Sequence, residues 1–211
     1  MLMPALHCGN DSESRQTLPL LRASIFSDFG EPMGKKNGLA DPSRLKPMDE
    51  DHKQLLRVVI ETPKGSRNKF AFDSQQHIFE LKTVLPAGMT FPYDFGFVPS
   101  TLAEDGDPVD VLVLMDEPAF PGCVLSCRPV GVIEGEQKDK KGKQRNDRII
   151  AVEKDAHSFA DVKTIDDMGK QFEKELEEFF VNYHKLTGKE YRVLAMKGPD
   201  QARKLVKNHR Q

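Results

Sequence analysis

The sequence predicts a mainly β domain with flanking helices, an antiparallel barrel or sandwich rather than a parallel α/β sheet. Three observations carry this: short β-rich runs succeed one another without helices between them, Pro, Gly and Asp punctuate the gaps, and only one long helical period occurs. The runs cover residues 55–61, 69–72, 78–82, 109–114, 124–133, 149–152 and 191–196, separated by turn formers such as Thr62-Pro63-Lys64-Gly65, Pro86-Ala87-Gly88 and Asp105-Gly106-Asp107-Pro108. The long helix is expected over about 168–186, where Phe172, Leu176, Phe179, Phe180, Tyr183 and Leu186 recur at spacings of three and four, and Gly188 stops it. A shorter helix follows Gly198-Pro199-Asp200, with Asp200 as its N-cap and Ala202, Leu205 and Val206 as its buried stripe. The lysine-rich stretch 138–143 reads as a solvated hairpin tip.

The chain has 211 residues, 38% hydrophobic and 30% charged, enough for one ordinary domain plus a tail. Residues 1–52, rich in Ser, Pro, Gly, Asn and Asp and without a sustained apolar period, are expected to form a mobile N-terminal extension; residues 53–211 form the domain. A net charge of -2 gives no overall field that would gather nucleic acid or anionic lipid, so neither is expected as a partner. No window approaches the roughly 18 consecutive apolar residues of a spanning helix. Cys8, Cys123 and Cys127 are odd in number and form no Cys-x-x-Cys pair, which suggests a reducing, cytoplasmic location; none of the six histidines stands in a His-x-x-x-His pair or near Cys123 and Cys127, which disfavours a zinc site.

The chemistry concentrates in Asp105-Gly106-Asp107-Pro108-Val109-Asp110, three carboxylates in six residues that a turn delivers into the apolar strand Val111-Leu112-Val113-Leu114. Like charges this close repel unless water, a cation or cationic side chains neutralise them, and all-oxygen donor sets suit Mg²⁺. Spacing alone leaves two readings open, a metal site and an acidic solvated turn. An EF-hand loop fits poorly, because the glycine precedes the second Asp and no Glu closes a twelve-residue loop.

Together with Phe91-Pro92-Tyr93-Asp94-Phe95-Gly96-Phe97-Val98-Pro99, this stretch resembles the signature region of the soluble family I inorganic pyrophosphatases. The likeness continues in order through Val58-Val59-Ile60-Glu61-Thr62-Pro63, Cys127-Arg128-Pro129-Val130-Gly131-Val132, Asn146-Asp147-Arg148-Ile149 and Phe179-Phe180-Val181-Asn182-Tyr183, over about residues 55–200. The resemblance implies an OB-like five-stranded β-barrel with helices outside, two or more Mg²⁺ ions, and hydrolysis of inorganic diphosphate to two orthophosphates. It also implies a homo-oligomer, hexameric in bacterial-type members. Carried over by position, Asp105, Asp107, Asp110 and Glu61 would hold metal, Asp107 would act as base toward the attacking water, and Lys69, Arg148 and Tyr183 would bind the substrate phosphates.

Several positions depart from the family pattern, and they cluster in the substrate shell. Ala71 stands for a glutamate, Thr83 for an arginine, Phe91 and Phe95 for tyrosines, Asn146 for an aspartate and His184 for a lysine. Lys82 or Lys185 would have to replace the lost cations. The second reading is therefore a catalytically weak or inactive relative, serving as a phosphate-ligand-binding or oligomeric partner.

Overall fold

The computed structural model describes residues 41–140 and 142–211. Its strands are β1 (Leu56–Thr62), β2 (Asn68–Asp73), β3 (Ile78–Val84), β4 (Asp94–Phe97), β5 (Asp110–Leu114), β6 (Val124–Asp139), β7 (Gly142–Arg145), β8 (Arg148–Glu153) and β9 (Glu190–Lys197). The α-helices are α1 (Gly169–Leu186) and α2 (Pro199–His209). Five strands close on themselves in the order β1, β4, β5, β8 and β6, with β6 returning to β1. This is the expected OB-like barrel. β7 and β9 both extend β6 outward, and β2 with β3 forms a separate hairpin.

One pairing differs from an all-antiparallel expectation: β5 and β8 run parallel. The chain leaves β5, runs out along β6 and returns through β7 into β8, which therefore lies beside β5 pointing the same way.

Alternation along the strands sends side chains to two apolar clusters. Val111, Val113, Ile149 and Ala151 pack with Ala202 and Val206 of α2. Their neighbours Leu112, Leu114, Ile150 and Val152 pack with Phe172, Leu176 and Phe180 of α1. With both faces buried, β5 and β8 read as unbroken hydrophobic runs rather than as polar-apolar alternations.

The helices end as their sequences dictate, with two corrections. α1 stops at Leu186 with Gly188 in the left-handed region at φ +73, but Leu186 is 51% exposed, and the buried stripe is Phe172, Leu176, Phe180 and His184 at every fourth residue. In α2 the N-cap is Gly198, not Asp200; Pro199 takes the first helical position, where its missing N–H costs nothing, and Asp200 lies in the first turn near the positive end of the helix dipole.

Residues 41–52, which composition groups with the extension, pack on the barrel. Asp41 caps the short 3-10 turn Pro42–Arg44 and lies 3.3 Å from His77 Nδ1 in the β2–β3 turn. The Ser100 amide donates to the Ser43 carbonyl at 2.8 Å, Met48 bridges to Leu56, and the Ser126 hydroxyl donates to the buried Asp49 carboxylate. The folded body thus begins before residue 53. Residues 1–40 of the expected extension lie outside the described residues.

Gly96 marks the closest approach of β4 to β1, because a Cβ there would sit 2.0 Å from the Val59 carbonyl oxygen. That neighbour is backbone and cannot rotate away. Gly96→Ala is expected to destabilise by about 3 kcal/mol or more in equilibrium urea unfolding; a change within about 0.5 kcal/mol would show that the strands slide apart cheaply.

Candidate metal and phosphate site

A cavity of about 500 Å³ opens between the barrel, the β2–β3 hairpin and the Asp105–Pro108 turn, and its wall includes Glu61, Lys69, Lys82, Asp107 and Asp110. Two bulges aim side chains into it. Ile60 pairs with Gly96 and Thr62 with Phe95, so Glu61 is the extra residue of β1. Lys69 pairs with Thr83 and Phe70 with Leu81, so Lys82 is the extra residue of β3. The Thr62 hydroxyl clamps the two sheets by donating to the Phe70 carbonyl and accepting from its amide, both at 3.0 Å.

Asp107 follows Gly106, whose φ of +91 lets the turn reverse, and its carbonyl accepts from the Ala103 amide at 2.7 Å. Thr101 fixes the far side: its hydroxyl donates to the Val98 carbonyl at 2.6 Å and accepts from the Val109 amide at 2.9 Å. Asp110 opens β5 opposite Phe97.

The four carboxylates expected to hold metal are neighbours, but they do not all share one wall. Glu61, Asp107 and Asp110 line the cavity, whereas Asp105 is off the wall, its Oδ1 accepting from the Asp107 amide at 3.3 Å. Among the described residues no three carboxylate, histidine or cysteine groups already close on one point. Burial pushes the Glu61 carboxyl up to about 7 and the Asp110 carboxyl up to about 6; Lys69 draws Glu61 down, Arg148 and then Lys69 draw Asp110 down, and the neighbouring aspartates raise both further. Asp105 is raised too, by burial first and by Asp107. An all-oxygen donor set short of positive charge fits a hard divalent cation.

Lys69 is half-buried, with its Nζ 4.8 Å from the Phe95 ring centre and 5.6 Å from that of Tyr183. Burial pulls its ammonium down, but Tyr183, Asp110 and Glu61 outweigh that, and the pKa ends above its ordinary value. Tyr183 belongs to the aromatic cluster behind this lysine, edge-on to Phe91 at 5.7 Å and stacked on Phe179 at 6.0 Å, rather than to the cavity wall. Arg148 is not on the wall either. It is 3% exposed and lies beneath Asp110, whose Oδ2 is 3.5 Å from its Nε.

The altered positions take up defined places. Ala71 lines the cavity, Phe91 and Phe95 are buried, and Asn146 donates to the Gln137 side chain at 2.9 Å. Asp147 accepts from the Gly135 amide and from Arg145, at 2.9 and 2.8 Å, and lies off the cavity wall. Of the two lysines expected to replace lost cations, Lys82 lines the cavity and Lys185 does not. Sequence reasoning missed the polar residues Ser43, Asp73, Ser74 and Gln75, which also line the wall. The Asp41-Pro42-Ser43 capping pattern was the one available signal for the first of these.

The raised carboxyls set a pH dependence for the metal-free protein. A carboxyl with a native pKa above its unfolded value binds more protons in the native state, so stability falls as pH rises from about 4.5 through 7. Thermal midpoints of chelator-treated protein should drop across that window, less so in Glu61→Gln, and Mg²⁺ at pH 7.5 should restore them. A flat profile identical in the variant would contradict the crowded-carboxylate description.

A closed five-strand barrel with a carboxylate wall facing lysines defines a site for cations and phosphate oxygens. The family model for inorganic pyrophosphatase matches residues 58–211. The inorganic pyrophosphatase of Synechocystis sp. is 41% identical over 152 residues, 72% of this chain and 88% of that protein. That of Methanosarcina acetivorans is 39% identical over 155 residues, 74% and 90% respectively. The crystal structure of inorganic pyrophosphatase from Thermus thermophilus superposes with a TM-score of 0.72 at 34% identity, covering 80% of this chain and 95% of that one. The chain belongs to the inorganic pyrophosphatase family.

Proposed function

We propose that the chain hydrolyses inorganic diphosphate to two orthophosphates, with Mg²⁺ as cofactor. The observation that carries this reading is a single cavity in which Glu61, Asp107 and Asp110 face Lys69 and Lys82, on a chain of this family. Glu61, Asp107 and Asp110, backed by Asp105, would hold two or more ions. When bound, these ions supply Lewis acidity to the phosphate oxygens and acidify water.

The chain's own residues do the rest. Asp107, exposed at the tip of its turn, accepts the proton of the attacking water. Lys69 and Lys82 neutralise phosphate oxygens as charge moves onto the leaving phosphate, and the Tyr183 ring, with Phe95, keeps the Lys69 ammonium facing the cavity. The reading extends to a cytoplasmic homo-oligomer without nucleic-acid or membrane partners. Among the described residues no helix is long and apolar enough to cross a membrane.

The test is a ³¹P NMR time course of the full chain with diphosphate and Mg²⁺. The diphosphate resonance should give way to orthophosphate alone, two per diphosphate consumed. Binding without turnover would favour the catalytically inactive reading.

We also propose that residues 1–40 are dispensable for the fold, whereas residues 41–52 are part of it. A chain starting at residue 41 should keep its thermal midpoint within about 2 °C, and one starting at residue 53 should lose about 4 °C or more, since it lacks the buried Asp49 that anchors to Ser126. Equal midpoints would move the boundary back to residue 52.

A further inference from the structure

A second set of buried polar groups lies beneath the cavity, and it turns on Arg148. The guanidinium lies 4.3 Å from the Phe180 ring centre and 4.8 Å from that of Tyr191. Nη1 donates to the Asn146 carbonyl at 3.2 Å, and Nη2 lies 3.3 Å from His184 Nε2. Nε has no hydrogen-bond partner and is 3.5 Å from Asp110 Oδ2.

The proton on His184 is fixed by its neighbours. Its Nδ1 is 2.8 Å from the Phe180 carbonyl oxygen, which can only accept, so Nδ1 carries the hydrogen. Nε2 is then bare and accepts from Arg148; a protonated ring would set N–H against N–H. Burial first, and the Arg148 charge next, hold the His184 pKa down to about 3, consistent with this neutral form. The ring is stacked on Tyr191 at 4.5 Å, and the Tyr191 hydroxyl donates to the same Asn146 carbonyl at 3.1 Å. Gly135 makes room for that hydroxyl, since a Cβ there would lie 2.0 Å from its oxygen.

The guanidinium is thus packed against two rings and held through both Nη atoms. Nε alone lacks a hydrogen-bond partner, and Asp110 Oδ2 lies 3.5 Å from it. We propose that Arg148 is a positioning residue, an internal counter-ion that fixes the Asp110 carboxylate at the cavity edge, and that neutral His184 holds it there. Arg148 does not touch diphosphate. An arginine suits this place because it stays charged when buried and can stack on aromatic rings. A substrate ligand would have to reach the cavity, and this side chain is 3% exposed. In its kinetic arm the inference rests on the diphosphatase reading; its structural arm is independent of it.

The structural arm is a crystal structure of the full-length His184→Leu variant, which keeps the guanidinium charge. The Arg148 to Asp110 separation should open beyond ion-pair distance, about 4 Å, with the Asp110 carboxylate rotated. An unmoved Asp110 would overturn the proposal. The kinetic arm pairs steady-state hydrolysis with calorimetric binding of methylenediphosphonate in Mg²⁺. His184→Leu and Arg148→Met should each lower kcat by about tenfold or more while the diphosphonate Kd stays within about threefold, and His184→Gln, which keeps an acceptor, should recover part of the loss. In an Asp110→Asn background, Arg148→Met should change kcat/KM by less than about twofold. Diphosphonate binding weakened about tenfold by Arg148→Met, or losses that multiply in that background, would instead make Arg148 a substrate ligand. A wild-type protein without hydrolysis, but with Asp110 released in the His184→Leu crystal, would sink the diphosphatase reading and leave this one standing.

Discussion

Asp107→Asn is expected to lower kcat for Mg²⁺-dependent diphosphate hydrolysis by about 10²–10⁴-fold, the range for removing a positioned general base. The asparagine is isosteric, and the side chain it replaces is exposed at the end of the Gly106 turn, so the backbone that delivers it is unaffected. The substitution also removes one of several crowded negative charges; burial raises Glu61 and Asp110, and both are raised further by Asp107. Stability should therefore hold or rise while activity collapses. Phosphate release and thermal unfolding measured on the same preparation separate the two effects. Activity within about tenfold of wild type would move the base elsewhere in the cavity.

Lys69→Met should reduce kcat/KM by about 10²-fold or more, the cost of losing a charge-assisted contact to an oxygen that gains charge in the transition state. Methionine keeps the packing against Phe95 and Tyr183 and removes only the ammonium. Diphosphonate binding should weaken alongside, which distinguishes Lys69 from a residue acting through Asp110. Lys82→Met should cost less, because Lys82 is about half exposed and already pairs with Glu80. A Lys69→Met enzyme with unchanged kcat/KM would exclude this lysine from the substrate.

The fold was legible because its signals are local. Turn residues between apolar runs marked seven of the nine strands among the described residues and missed the four-residue β4 and β7, and the spacing of Phe172, Leu176 and Phe180 marked α1 against the barrel. What local signals could not carry was direction and depth. The parallel placement of β8 beside β5 depends on the length and path of the β6–β7 hairpin, not on any residue within β8. The acidic triplet was visible as a charge problem, but which carboxylates share a wall depends on the Gly106 turn and the β1 bulge at Glu61. A bulge is a fact about two strands, so one strand's sequence does not reveal it.

Arg148 and His184 show the same limit from the other side. Matching by position placed Arg148 on substrate and treated His184 as a lost cation, yet the fold buries both and joins them to each other. Burial at the end of an otherwise apolar helical stripe is the feature that distinguishes His184, and Leu186, two residues on, looked the better core candidate. The packing of residues 41–52 was hidden for a related reason. Residues 41–52 pack through caps, one short bridge and a single buried carboxylate rather than through a periodic apolar face.

The central claim, that this carboxylate-lined cavity hydrolyses diphosphate, is tested most directly by steady-state phosphate release from diphosphate by the full chain titrated with Mg²⁺, run beside the Asp107→Asn variant. The account predicts release that is absent in chelator, rises saturably with Mg²⁺ in the wild type, and is nearly abolished in the variant. Folded wild-type protein that releases no more phosphate than buffer with Mg²⁺ alone would contradict it.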